Sequence, residues 1–191
     1  MILRDPQRIG DALSLIVLLT IVWFLWPKSP FPVSFSLEGL IGGFVVGIVV
    51  FLASSLLTLL ISRVNKKHLL KPKDADMAKH NRGLLGNLLF AIVVSAFEEL
   101  LFRSFLFHYA NVFLGTKIAF VISITIFALS HFNNRFIELC FMGAAFLLLM
   151  LNYDNVLPPI VAHATNNVAT YVIDRLYQSS EPKSTAKHKL S

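Results

Sequence analysis

Cysteine is almost missing from this chain of 191 residues: Cys140 is the only one. A lone cysteine forms no internal disulfide and no Cys-based metal site. Inside an apolar run it reads as a small buried hydrophobe. Charge is also scarce. Charged residues make up 15% of the chain, against about a quarter in an average soluble domain. No alternation of apolar and polar residues marks a strand, no internal repeat is visible, and no Gly/Ser linker divides the chain. These absences exclude a disulfide scaffold, a sheet protein and a repeat array, and the length fits one domain.

What the chain has instead is hydrophobic residues, at 55%, with a mean hydropathy of +0.68. They gather in six runs, at about 9–26, 37–62, 84–112, 116–133, 136–152 and 156–177. Several approach the ~20 residues needed to cross a hydrocarbon core of ~30 Å. Such runs must satisfy their own backbone hydrogen bonds, which dictates helix. The expected fold is all-α: a polytopic membrane helix bundle of about six transmembrane helices, forming one domain over residues 1–178. A polar tail, 179–191, follows. The first run lacks an A-x-A-like cleavage site and leads into PKSPFP, so it reads as a retained helix rather than a signal peptide.

The net charge of +6 follows the membrane, which argues against nucleic acid. Arg4 and Arg8, the seven basic residues from Arg63 to Arg82, Arg135, and the four from Arg175 onward all fall on one side of a six-helix weave. Only Lys28 and Lys117 fall on the other. By the positive-inside rule both termini are expected in the cytoplasm. The polar connection at 63–83 serves that topology and can touch anionic lipid. His68, His80 and His188 lie in polar segments and carry no catalytic expectation. His108 reads as interfacial.

Residues 97–103 read FEELLFR. They place Glu98, Glu99 and Arg103 inside an apolar helix, where each charge costs about 2.5–3.5 kcal/mol at mid-span. Glu99 and Arg103 are spaced i,i+4 and share a face. Glu98 lies about 140° from Arg103 on an α-helix. The economical arrangement pairs Glu99 with Arg103 and frees Glu98 as a base. Two further polar positions interrupt apolar runs: His131, closing FALSH, and His163, opening HATNN, with Asn167 one turn later on the same face. A carboxylate, two imidazoles and an amide from three helices are the parts of a water-activating hydrolytic site. No HExxH is present, and no GxSxG or Ser–His–Asp set. Asp154 and Asp174 stand at helix ends, unlike an intramembrane aspartyl pair. Ser95 reads as packing.

In order, E-E-x-x-x-R, F-x-x-x-H and H-x-x-x-N resemble the motifs of the CPBP family, over about residues 84–177. That family contains the type II CAAX prenyl proteases and the bacteriocin-processing and Abi proteins. The resemblance implies an intramembrane endopeptidase. Glu98 with His131 would activate the attacking water, His163 and Asn167 would stabilise the oxyanion, and Glu99 and Arg103 would support the site. It leaves two routes open: Zn²⁺ held by Glu98, His131 and His163 with one position for water, or a metal-free glutamic site, the favoured route. The expected substrate is a membrane-anchored or lipidated protein cut in its C-terminal region. The expected setting is the lipid bilayer of a prokaryotic cell (inner) membrane. Two other classes compete. A non-catalytic immunity or binding protein of the same fold has no need for all four polar residues. A small transporter calls for repeats or a continuous polar path. The third run is long for one crossing, so a tilt, a late entry or a break near Ser95 is expected there. Glu98 and His131 count to different depths, which leaves open the face to which the site opens.

Overall fold

The computed structural model describes the backbone of residues 6–64, 84–131 and 135–180. Its elements are α1 (Pro6–Leu25), a 3-10 turn (Trp26–Lys28), α2 (Leu37–Val64), α3 (Leu84–Glu98), a π-helical stretch (Glu99–Leu106), α4 (Phe107–Leu114), α5 (Thr116–Ser130), α6 (Phe136–Tyr153) and α7 (Leu157–Ser180). No strand occurs among the described residues. The junctions Glu98 and Phe107 keep right-handed helical dihedrals, so α3, the π stretch and α4 are one unbroken rod. Six rods result among the described residues, close to the six apolar runs. The basic connection at 65–83, His68, His80 and the tail with His188 lie outside the described residues.

Local chemistry marks several of the rod ends. Pro27 enters the 3-10 turn after α1, where a ring without an N–H cannot extend the helix. Gly115, at φ 81° and ψ 160°, reverses the chain after α4, a conformation that side chains with a Cβ avoid. Asp154 closes α6 in the left-handed region. Pro158 and Pro159 occupy the first turn of α7, where the missing N–H groups cost no helix bond.

Among the described residues three helices are long and apolar enough to cross a membrane: Leu37–Leu60, Leu85–Leu114 and Phe136–Tyr153. Ala12–Lys28 and Thr116–Ser130 are shorter apolar helices. α7 is long but carries His163, Thr165, Asn166 and Asn167 in its first half and Thr170 just beyond, which lowers its hydropathy. Outward faces are apolar, as at Leu13, Ile16, Phe44, Leu52 and Ile118. The interior clusters around Phe102, Phe127, Phe146 and Leu139, and around Leu100, Phe107, Leu147 and Met150. An apolar exterior over a packed interior is the pattern of an integral membrane bundle.

α7 is the central element and packs on α2, α3 and α6. Its contact with α2 is close because Gly39, Gly43 and Gly47 recur every fourth residue along one face of α2. A Cβ on Gly43 would stand 2.5 Å from Pro158 O, and one on Gly47 would stand 2.5 Å from Ala162 O. This is small-xxx-small packing, and it sets the backbone of α2 beside the residue preceding His163.

The third rod and α5 form a hairpin about Gly115. Glu98 lies 17 residues before that glycine (115 − 98) and His131 lies 16 after it (131 − 115), so the two come level. This brings the two residues to one level, and of the alternatives expected for the third run a break near Ser95 is not what occurs. The rod runs on instead, and α3 extends past the point where α5 stops. The extra length lies at the end of the bundle where α3 and α6 begin (the near end). The turns at 26–36, Gly115 and 154–156 form the far end.

Candidate active site

The π stretch begins within the pair of glutamates. Its wider turn gives Phe102 O two donors, the Phe107 N–H and, at 2.8 Å, the Ser123 hydroxyl of α5. π-helical turns are rare and gather at functional sites. Here the turn buries Glu99, Leu100, Phe102, Arg103 and Ser104.

Glu99 is fully buried. Its Oε2 lies 3.2 Å from Arg103 Nε, and both side chains are at most 1% exposed. The expected i,i+4 pair is therefore present. Glu99 has a second partner that helical spacing alone did not indicate: its Oε1 lies 2.8 Å from His163 Nδ1 on α7. The Arg103 guanidinium lies 3.9 Å above the Phe127 ring, a cation–π contact in a dry setting. His163 stacks on Phe146, with centroids 5.2 Å apart, and meets Phe127 edge-on.

Glu98 points elsewhere and is 18% exposed. Its Oε2 lies 3.6 Å from His163 Nε2 and 3.9 Å from His131 Nε2. That oxygen is buried and has no hydrogen-bond partner. His131, 27% exposed, turns its Nδ1 back to Phe127 O at 2.9 Å and rests edge-on against the Phe127 ring.

The acceptors assign the tautomers. An ionised carboxylate and a carbonyl only accept, so His163 Nδ1–H donates to Glu99 and His131 Nδ1–H donates to Phe127 O. In the neutral rings both Nε2 atoms then carry lone pairs. Two lone pairs and a carboxylate oxygen converge on one point at the edge of solvent.

Asn167 meets α3 at Ser95, one turn before Glu98. Its Nδ2 lies 3.1 Å from Ser95 Oγ, and Ser95 Oγ lies 2.8 Å from Ala91 O. The structure thus gathers Glu98, His131 and His163 at one point, with Glu99 and Arg103 behind them and Asn167 one turn away toward the near end.

Residues 81–169 match the family described as type II CAAX prenyl endopeptidase Rce1-like. Over that segment the chain is similar to the Rce1-like family. No curated protein and no solved structure matches the chain. The Rce1-like segment spans Glu98, Glu99, Arg103, His131, His163 and Asn167 together, while α1 and α2 lie outside it.

For a metal, the donor set of Glu98, His131 and His163 is right in kind. Each imidazole has its Nδ1 held by an acceptor, as metal-bound histidines usually do. The spacing is too wide. Zinc with bonds near 2.0–2.1 Å holds tetrahedral ligands roughly 3.3 Å apart, and both separations from Glu98 exceed that. Among the described residues no group of three or more His, Cys, Asp or Glu is arranged to hold a metal ion. As they stand these residues do not form a metal centre.

Three features went unread in the sequence. The π stretch has no signature in residue spacing. Ser95 was assigned to packing but holds Asn167. Glu138, 3 residues after Arg135, is buried in α6, where it pairs with the Arg135 guanidinium through Nε at 2.7 Å and receives the Thr58 hydroxyl of α2 at 3.2 Å. An acidic residue three positions after a basic one at a helix start was the available signal.

Proposed function

We propose that the protein is an intramembrane endopeptidase that hydrolyses a peptide bond close to the membrane, in the C-terminal region of a lipidated or membrane-anchored protein. The observation that carries this reading is the unpartnered Glu98 Oε2 facing the Nε2 atoms of His131 and His163, within a segment of a prenyl endopeptidase family.

A water held there donates one hydrogen to Glu98 and is oriented by His131. As its oxygen attacks the scissile carbonyl, the proton passes to Glu98 and negative charge develops on the carbonyl oxygen. The Asn167 amide donates to that oxyanion. His163 stabilises the same oxygen once its Nε2 carries a proton taken from solvent, with the Glu99 carboxylate facing the charge. Collapse of the intermediate breaks the C–N bond, and Glu98 returns its proton to the departing amine. Arg103 and Glu99 keep the Glu98-bearing rod and α7 in register.

Access from the near end is favoured, because a strap of residues 29–36 lies across the far end. Ser29 and Ser104 hydroxyls lie 2.6 Å apart, Asn155 Nδ2 donates to Ser34 O at 2.7 Å, and Val156 N–H donates to Pro32 O at 3.0 Å. With Arg135 and Arg175 toward the near end, the positive-inside rule favours a site that opens to the cytoplasm, which suits a lipidated C-terminus presented there.

The deciding experiment places purified protein in lipid nanodiscs with a quenched fluorescent, farnesylated peptide ending in a C-A-A-X sequence. Cleavage is expected from the native chain. Glu98→Gln keeps shape and hydrogen bonding but cannot take the proton, so a loss of about 10²–10⁴-fold is expected. Near-native turnover by Glu98→Gln overturns the reading.

A further inference from the structure

Ser95 is fully buried on α3, and its hydroxyl has one proton to give. Ala91 O, at 2.8 Å, is the i−4 carbonyl toward which a helical serine turns that proton. Its oxygen must then act as an acceptor toward α7, and the Asn167 group at 3.1 Å has to be the NH₂ end of the amide. The other end of the same amide is compatible: Asn167 Oδ1 lies 3.5 Å from the Asn166 amide, which can turn its NH₂ toward it. Ser95 thus selects one of the two orientations of the Asn167 amide, a choice its shape alone leaves open.

We propose that Ser95 is a positioning residue that fixes the donor end of Asn167. One Nδ2 hydrogen is spent on Ser95, and the second is left to meet the developing oxyanion. With Ser95 absent, the amide can rotate by half a turn and present its oxygen to that oxyanion, which repels it. This inference rests on the endopeptidase reading for its effect on rate, but its structural content, the orientation of one amide, does not.

Two measurements separate them. In nanodiscs with the farnesylated C-A-A-X peptide, Ser95→Ala is expected to lower kcat roughly 3- to 10-fold, the span of one neutral hydrogen bond, with KM unchanged and only a small fall in unfolding temperature. Ser95→Thr keeps the hydroxyl and is expected to restore kcat. Ser95→Cys matches the volume with a weakly bonding sulfur and is expected to behave like Ser95→Ala. In an Asn167→Ala background, Ser95→Ala is expected to add nothing, since residues acting as one unit are not additive. Full multiplication of the two losses, or native kcat in Ser95→Cys, overturns the proposal. The second measurement needs no substrate. In protein labelled with ¹⁵N-asparagine, the Asn167 side-chain amide is expected to show two distinct hydrogens, one slow to exchange, and to lose that slow exchange in Ser95→Ala. An unchanged amide spectrum in Ser95→Ala overturns the proposal. If the native chain leaves the peptide uncut while the amide responds, the endopeptidase reading fails and the Ser95 contact stands.

Discussion

His163 Nδ1 lies 2.8 Å from Glu99 Oε1, so the carboxylate that holds Arg103 on its own helix also holds a histidine on another. One side chain couples the π stretch to α7. Its neighbour Glu98 is thereby left to face the other nitrogen of the same ring. Adjacent carboxylates divide the work, one fully buried and paired, the other half-buried and unpaired.

That division predicts a stability effect from the supporting pair. Arg103→Ala leaves the Glu99 carboxylate short of a partner in a dry interior, and truncating one member of a buried pair typically costs about 3–5 kcal/mol. Lower yield and a lower unfolding temperature in detergent are expected, together with lost activity. Arg103→Lys is expected to recover little, because Lys presents a point charge and not the planar group stacked on Phe127. Unchanged thermal unfolding in Arg103→Ala shows the pair to be dispensable.

The two site histidines should separate into different phenotypes. His131 is the more exposed and sits at a helix end, whereas His163 is buried between Phe127 and Phe146. His131→Ala is expected to fold normally and to lose about 10²-fold or more in rate. His163→Ala is expected to lose both rate and stability, since it opens a cavity and leaves Glu99 without its second partner. Circular dichroism melts beside peptide cleavage rates compare the two. Equal destabilisation by both changes contradicts the placement described above.

Chelation separates water held by side chains from water held by metal. Cleavage is expected to continue after treatment with a strong zinc chelator, because the mechanism uses Glu98 as the base. Loss of cleavage on chelation, with recovery on adding Zn²⁺, assigns Glu98, His131 and His163 as ligands in the working enzyme.

Gly47 carries a prediction remote from the chemistry. A methyl group there meets Ala162 O at 2.5 Å, backbone that cannot swing aside, and α7 has to shift along with His163. Gly47→Ala is expected to cost about 1–3 kcal/mol, as overpacking does, and Gly47→Val more. Both should lower kcat although α2 bears no catalytic group. Substituting exposed Val49 by alanine is the control, expected to behave as native in melting and cleavage.

Some of this was readable from residue order alone. The helical class, the near-matching rods, the i,i+4 pairing of Glu99 with Arg103 and the set of polar residues in apolar helices all follow from short-range periodicity and from the cost of charge in hydrocarbon. These depend on what a residue is and on its neighbours within two turns. The meeting of Glu98 with His131, the Glu99–His163 contact, the Ser95–Asn167 contact and the burial of Glu138 needed the tertiary structure. Each joins residues on different rods, and the register between rods is set at a distance, by the one-residue reversal at Gly115 and the close approach of Gly43 and Gly47 to α7. The π stretch belongs with them. Its bonds compete with ordinary α-helical bonds in the same residues, and contacts such as the Ser123 hydroxyl on Phe102 O and Ser29 on Ser104 come from elsewhere in the fold.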